Sequence, residues 1–177
     1  RNQFHYPNRM STLVVSNQAI MKRVENLASF YLELKEPRPA LVTLASGGTT
    51  LAVDLVRILA NKNITDFPFE VLAPGTSFTQ QATKKLKNYN RILVIDDIFD
   101  TGQQLLESKK ILGKQHDVFL AALLLKNQNQ PEQLDWHGFT IPDVWVYGYG
   151  MDDVHGLNRA LSDIVTEDKL PKGYRAP

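Results

Sequence analysis

Apolar residues recur at Ile20, Val24, Leu27, Ala28 and Tyr31, the three- and four-residue spacing that sets one face of a helix against a core. Ser16 or Asn17 precedes them as a cap, and Pro37 and Pro39 follow as breakers, so the pattern predicts a helix over Ser16–Leu34. Downstream, short continuous apolar runs alternate with helical spacing. Ala40–Ala45 reads as a buried strand, Gly47-Gly48 as a turn, and Leu51, Ala52, Leu55, Val56 and Leu59 as the apolar face of a second helix. Phe69–Ala73 and Arg91–Ile95 read as strands, separated by Pro74–Asn90, a polar stretch without periodicity that reads as a mobile loop. Gln103–Lys114 reads as a helix, Val118–Leu125 as a fourth strand and Val144–Tyr149 as a fifth. Such alternation, with strands apolar along their whole length, predicts an α/β fold: a mostly parallel twisted sheet flanked by helices. No repeat or linker divides the chain. A single domain is expected, with a core of about residues 12–150 and a small cap or hood formed by residues 1–11 and 151–177.

Composition narrows the function. Of the 177 residues, 43% are hydrophobic and 22% charged, which suits a packed core and argues against disorder. Lys+Arg 20 against Asp+Glu 19 leaves +1, so no basic field is available to hold nucleic acid. The absence of cysteine removes disulfides, thiolate nucleophiles and Cys-ligated metals. The longest apolar runs, such as Val118–Leu125, fall far short of the ~20 residues that span a bilayer. With no signal-peptide pattern at the start, a cytoplasmic protein with neither membrane nor nucleic-acid partner is expected. His5, His116, His137 and His155 show no metal-ligand spacing and are assigned to the surface.

In parallel sheets, ligands bind beyond the carboxyl ends of the strands, and three strand ends here carry unusual chemistry. In RILVIDDIFDTGQQ (Arg91–Gln104) an apolar strand runs into Asp96-Asp97, and Asp100-Thr101-Gly102 then opens a helix. Adjacent carboxylates at a strand end are costly unless they meet cations or hydroxyl donors, and a sugar diol, with or without a metal ion, supplies such partners. The backbone N–H groups from Thr101 and Gly102 onward form an anion site at a helix start. One loop thus offers diol acceptors beside a phosphate cradle, which suits a ribose 5-phosphate. The plainer alternative is an acidic turn with Asp100 as an N-cap. Ala45-Ser46-Gly47-Gly48-Thr49 is a second glycine turn before a helix, and it lacks the Lys-Ser/Thr of an ordinary nucleotide-triphosphatase loop. Lys126 ends the fourth strand: either a solvated strand end or, beside a base, a side chain that can only donate. Trp145 reads most simply as a core aromatic of the fifth strand.

The strand–DDxxDTG–helix string resembles the phosphoribosyl-pyrophosphate signature of type I phosphoribosyltransferases, and the chain is compatible with that family from roughly Val14 to Val165. Lys126 in LLLKNQ and the later IPDVWVYGYGMDD make it most similar to the hypoxanthine-guanine phosphoribosyltransferases. The resemblance implies the family's fold and a purine-salvage transferase that joins hypoxanthine or guanine to 5-phosphoribosyl 1-pyrophosphate, releasing pyrophosphate. Asp96 and Asp97 would hold the ribose hydroxyls and magnesium. Thr101, Gly102, Gln103 and Gln104 would line the 5′-phosphate loop with Asp100, which faces the purine imidazole nitrogen as the candidate general base. Ser46, Gly47 and Gly48 would form the pyrophosphate loop. Lys126 would donate to a 6-oxopurine, Trp145 would stack on it, and Val146 would meet its edge through the backbone. Asp152, or alternatively Asp153, would lie at the purine edge or at a second magnesium. Ser77-Phe78 occupies the place of a Ser-Tyr pair in the flap that closes over the reacting centre. A homodimer or homotetramer is implied as well.

Several positions depart from the family pattern, and all of them fall on the pyrophosphate side. Ser46 replaces a lysine, Phe78 lacks a tyrosine hydroxyl, Gln103-Gln104 replaces lysine or glycine followed by threonine, and the loop containing Gln130 lacks an arginine. The segment Phe78–Asn90 is also short for a full flap. These departures keep other readings open: slow turnover, a xanthine-preferring enzyme, or a non-catalytic regulator that binds phosphoribosyl pyrophosphate. A phosphoacceptor signalling domain is the more distant rival, since that class spreads its acidic residues over several strands.

Overall fold

A computed structural model of the chain describes residues 11–35, 37–73, 78–127 and 131–177. The described elements are β1 (Thr12–Val15), α1 (Asn17–Glu33), β2 (Ala40–Leu44), α2 (Gly48–Asn61), β3 (Phe69–Leu72), α3 (Phe78–Leu86), β4 (Arg91–Phe99), α4 (Gln103–Leu112), β5 (Asp117–Lys126), β6 (Trp136–Ile141) and β7 (Ile164–Thr166). Five strands form one parallel sheet in the order β3-β2-β4-β5-β6. The alternation of side chains along its strands divides the core into two layers. Leu41, Leu93, Ile95 and Leu123 pack with α1 and α2 residues such as Leu27 and Leu55, whereas Val42, Ile92, Val94 and Leu120 pack with Leu86 of α3 and Leu105 of α4. Helices on both faces explain why β2, β4 and β5 are apolar almost throughout. β1 and β7 pair antiparallel as a separate two-stranded sheet.

Ser16 caps α1, accepting a 3.2 Å hydrogen bond from the Ala19 N–H. The largest difference from the sequence expectation lies in Pro74–Asn90. Its described part, residues 78–90, opens on the helix α3, with Phe78, Ala82 and Leu86 buried at four-residue intervals. Three apolar residues among polar neighbours suffice when each docks on the sheet. The expected fifth strand over Val144–Tyr149 is absent; that segment makes only isolated bridges, Tyr147 to Val165 and Gly148 to Met151. The fifth strand is instead β6, where apolar Phe139 and Ile141 alternate with exposed Thr140 in the half-buried pattern of a sheet edge. The Arg91–Ile95 strand also runs on to Phe99, carrying both acidic residues within the strand and pairing Asp96 with Ala122.

The sheet order places a topological switch between β2 and β4: from β2 the chain moves outward to β3, and from β4 it moves the other way to β5. The carboxyl ends of this pair open a crevice in which no crossover helix interferes.

Candidate active site

The acid pair is built into the sheet. Asp96 pairs with Ala122 of β5 and is buried to 7% exposure. The Asp96 Oδ1 accepts from the Asp97 N–H at 3.0 Å, and the Asp97 Oδ1 accepts from the Ile98 N–H at 2.9 Å. Burial, reinforced by the neighbouring Asp97 charge, pushes the Asp96 carboxyl up from 3.8 to about 9. Burial also raises Asp97, against the hydrogen bonds from Asp96 and the Ile98 backbone and the more distant charge of Arg159. Among the described residues, no Lys, Arg or His side chain forms an ion pair with either carboxylate.

The start of α2 closes on this pair, and glycine is what lets it do so. A Cβ at Gly47 would lie 1.8 Å from Asp97 Oδ2, and one at Gly48 would lie 3.0 Å from the Asp96 Cα. The preceding Ala45–Ser46 peptide is cis. Gly102 caps α4 at φ +73, and a Cβ there would meet the Phe99 ring at 2.3 Å. Because Gly102 takes the cap position, the Asp100 side chain is not the N-cap; both Asp100 and Thr101 are exposed at the mouth of the crevice.

These loops line a cavity of about 430 Å³ together with Lys126, Trp145, Val146, Met151, Asp152 and Arg159. Lys126 is buried to 5% exposure and donates to Asp143 Oδ1 at 3.0 Å and to the Val144 carbonyl at 2.6 Å. It is therefore not a solvated strand end. Trp145 is 53% exposed, which corrects its reading as a core aromatic. Its backbone is fixed by the N–H donating to Asp168 Oδ2 at 2.7 Å and the carbonyl accepting from Thr166 Oγ1 at 2.6 Å, so the indole is presented at the cavity by a rigid frame.

Asp152 lines the cavity, and its Oδ2 pairs with Arg159 at 2.7 Å. Asp153 instead turns inward on its own loop and accepts from the N–H groups of His155 and Leu157 and from Asn158 Nδ2. Those hydrogen bonds hold its carboxyl below the usual range. Phe78 is buried to 3% exposure beside Ala82 and Leu86, away from the cavity lining. Gly48 lies one residue behind the lining and acts through its close approach to Asp96. Ser77 and Gln130 lie outside the described residues.

Sequence reasoning did not assign Ile98, Leu105, Met151 or Arg159 to the cavity. Ile98 lies within the acid-pair string and Leu105 directly follows it, so the string points to both. Arg159 reaches back to the Gly150 carbonyl at 2.7 Å across an irregular loop, and no local pattern announces that contact.

A family model described as the phosphoribosyl transferase domain matches residues 11–153. The chain belongs to that family. Its parallel sheet is thus that of a phosphoribosyltransferase. It is similar to the hypoxanthine phosphoribosyltransferase of Salmonella typhimurium, 30% identical over 122 residues, covering 63% of this chain and 68% of that protein. The hypoxanthine phosphoribosyltransferase of Haemophilus influenzae is 26% identical over 160 residues, covering 79% and 86%. In fold the chain resembles the Leishmania tarentolae HGPRT-ase crystallised with GMP, at a TM-score of 0.72 and 23% identity, covering 93% of this chain and 100% of that one. The phosphoribosyltransferase is an enzyme, a pentosyltransferase, and no described helix is long and apolar enough to cross a membrane.

Proposed function

We propose that this phosphoribosyltransferase joins a 6-oxopurine, hypoxanthine or guanine, to 5-phosphoribosyl 1-pyrophosphate, giving the nucleoside 5′-monophosphate and pyrophosphate. The observation that carries the choice of base is Lys126: a buried ammonium at the cavity wall can donate but never accept. It matches the exocyclic oxygen of a 6-oxopurine and meets the amino group of adenine donor against donor. Trp145 supplies an exposed aromatic face for stacking, and the Val146 backbone lies next along the same wall.

On this reading Asp96 and Asp97 accept from the ribose hydroxyls. Thr101, Gly102, Gln103 and Gln104 surround the 5′-phosphate, with backbone N–H groups at the start of α4 aimed toward it. Asp100, exposed between the acid pair and α4, holds the purine proton at the imidazole nitrogen as the sugar bond forms. Ser46, Gly47 and Gly48 leave room for pyrophosphate beside α2. Lys126 and Arg159 are the two cationic side chains among the described cavity residues. Arg159 lies nearer that loop, because a Gly150 Cβ would stand 2.5 Å from the Gly47 carbonyl oxygen and Arg159 donates to the Gly150 carbonyl. Its charge is already shared with Asp152, so it compensates only in part for the lysine absent at position 46.

Magnesium fits the donor set. Adjacent carboxylates, Asp96 buried and Asp97 half-buried, with no ion-pair partner among the described residues are suited to a hard cation, and the described residues contain no closed cage of three or more acidic or histidine ligands. Magnesium is held in this way by one or two carboxylates with substrate oxygens completing its shell. Asp96 and Asp97 would hold one ion, and Asp152 is the candidate for a second. When bound, the ion neutralises charge developing on the departing pyrophosphate. Assembly as a homodimer or homotetramer is part of the same reading. The test is a base-panel assay with phosphoribosyl pyrophosphate and magnesium: nucleotide formation from hypoxanthine or guanine but not adenine is expected, and use of adenine alone overturns the assignment.

A further inference from the structure

The Lys126 ammonium carries three N–H bonds, and the fold occupies two of them. One goes to the Val144 carbonyl at 2.6 Å and one to Asp143 Oδ1 at 3.0 Å. These acceptors come from the turn joining β6 to the Trp145 loop, and that turn is itself fixed by a 2.9 Å hydrogen bond from the Val144 N–H to the Pro142 carbonyl. The lysine is buried whereas the Asp143 side chain is 65% exposed, so the carboxylate reaches in from the surface to meet the ammonium. A long lysine stem has many rotamers, and a single carbonyl would leave its head free to pivot.

We propose that Asp143 is the positioning residue for base recognition: it takes the second N–H of Lys126, leaving a single donor that faces the cavity. A lone fixed donor selects for one acceptor atom on the base, which deepens, and rests on, the 6-oxopurine reading. A freely turning ammonium would present up to three donors and tolerate a base displaced in the pocket. Asp143 lies outside the cavity lining and meets the pocket through Lys126, so its removal should alter base recognition and leave the sugar-phosphate side unchanged.

The experiment compares the parent with Asp143→Ala and Asp143→Asn, measuring KM for hypoxanthine, the ratio of hypoxanthine to adenine use, phosphoribosyl-pyrophosphate affinity and Tm. The alanine variant is expected to raise the hypoxanthine KM about tenfold, the lower end of what one charge-assisted hydrogen bond is worth. It should also lower the base ratio, with sugar-phosphate affinity unchanged. The asparagine variant, which keeps an acceptor oxygen, is expected to fall between the two; if the alanine variant does not fold, it carries the test alone. Unchanged hypoxanthine KM and base ratio in the variants overturn the proposal while leaving the purine reading intact. A lower KM in the alanine variant also overturns it, because the carboxylate would then compete with the base. Failure of the parent to use any 6-oxopurine overturns the purine reading, and this proposal with it.

Discussion

The Gly47 α-carbon stands against the Asp97 carboxylate so closely that a Cβ would lie 1.8 Å from Oδ2. The first glycine of the α2 turn and the second aspartate of β4 thus form one contact, although 50 residues of sequence number separate positions 47 and 97. Overpacking of this kind typically costs about 1–3 kcal/mol. Gly47→Ala is expected to lower Tm and, by pushing the turn off Asp97, to weaken phosphoribosyl-pyrophosphate binding. Calorimetry and thermal unfolding would check it. Adding Asp97→Ala should restore Tm by opening space, without restoring affinity.

The acid pair makes a prediction of opposite sign for stability and binding. Asp96 is raised from 3.8 to about 9, so between those values the unfolded chain releases a proton that the folded chain keeps. The favourable contribution is complete below pH 3.8 and is lost as pH rises toward 9. Asp96→Asn should therefore raise Tm by an amount that grows from pH 5 to pH 9 and vanishes near pH 3, as pH-dependent thermal unfolding would reveal. Affinity for phosphoribosyl pyrophosphate with magnesium should fall in Asp96→Asn and in Asp97→Asn alike. In the parent, that binding should release protons, seen as a calorimetric heat that varies with buffer ionisation enthalpy.

Asp100 separates a catalytic role from a capping one. Gly102 occupies the α4 cap, so Asp100→Asn removes no cap and Tm should stay close to that of the parent. Positioned proton transfer is typically worth about 10²–10⁴-fold, and kcat should fall by that order with little change in sugar-phosphate affinity. A large drop in Tm with kcat preserved would return Asp100 to a structural role.

Phe78 is placed for stability. It is buried with Ala82 and Leu86 on the sheet face that α4 also covers. Phe→Ala in a core costs about 3–5 kcal/mol, so Phe78→Ala should lower Tm markedly. The kcat of the folded fraction, measured well below Tm, should stay near the parent value. Loss of kcat without loss of Tm would instead place this side chain in the reaction.

Much of the site was legible because its residues are neighbours in sequence. Asp96 through Gln104 form one strand–turn–helix string, and the rule that ligands gather at strand carboxyl ends located it without coordinates. Elements resting on tertiary packing were less legible. α3 carries only three apolar anchors, Phe78, Ala82 and Leu86, and local periodicity is weak when so few positions decide a helix. β6 is an edge strand containing Gly138 and exposed Thr140, so it lacks the apolar run that marked the central strands. The apolar residues of Val144–Tyr149 resemble a strand, yet their backbone is occupied by Asp168, Thr166 and Val165. Arg159 enters the cavity through the Gly150 carbonyl and Asp152, contacts that depend on how the loop closes.

Lys126 gives the sharpest test of the base pocket. On the 6-oxopurine reading, a charge-assisted hydrogen bond from its buried ammonium to the purine oxygen would be worth about 1.5–3 kcal/mol. Since 1.4 kcal/mol is about tenfold, Lys126→Met should lower kcat/KM for hypoxanthine roughly 10- to 150-fold. The same change leaves Asp143 and the Val144 carbonyl without the donor they now share, so part of the loss reflects a relaxed turn. Adenine discriminates between those causes. Methionine removes the donor that opposes the adenine amino group, so the ratio of hypoxanthine to adenine use should fall while both absolute rates stay low. A merely loosened pocket would lower both rates together and leave the ratio where it was.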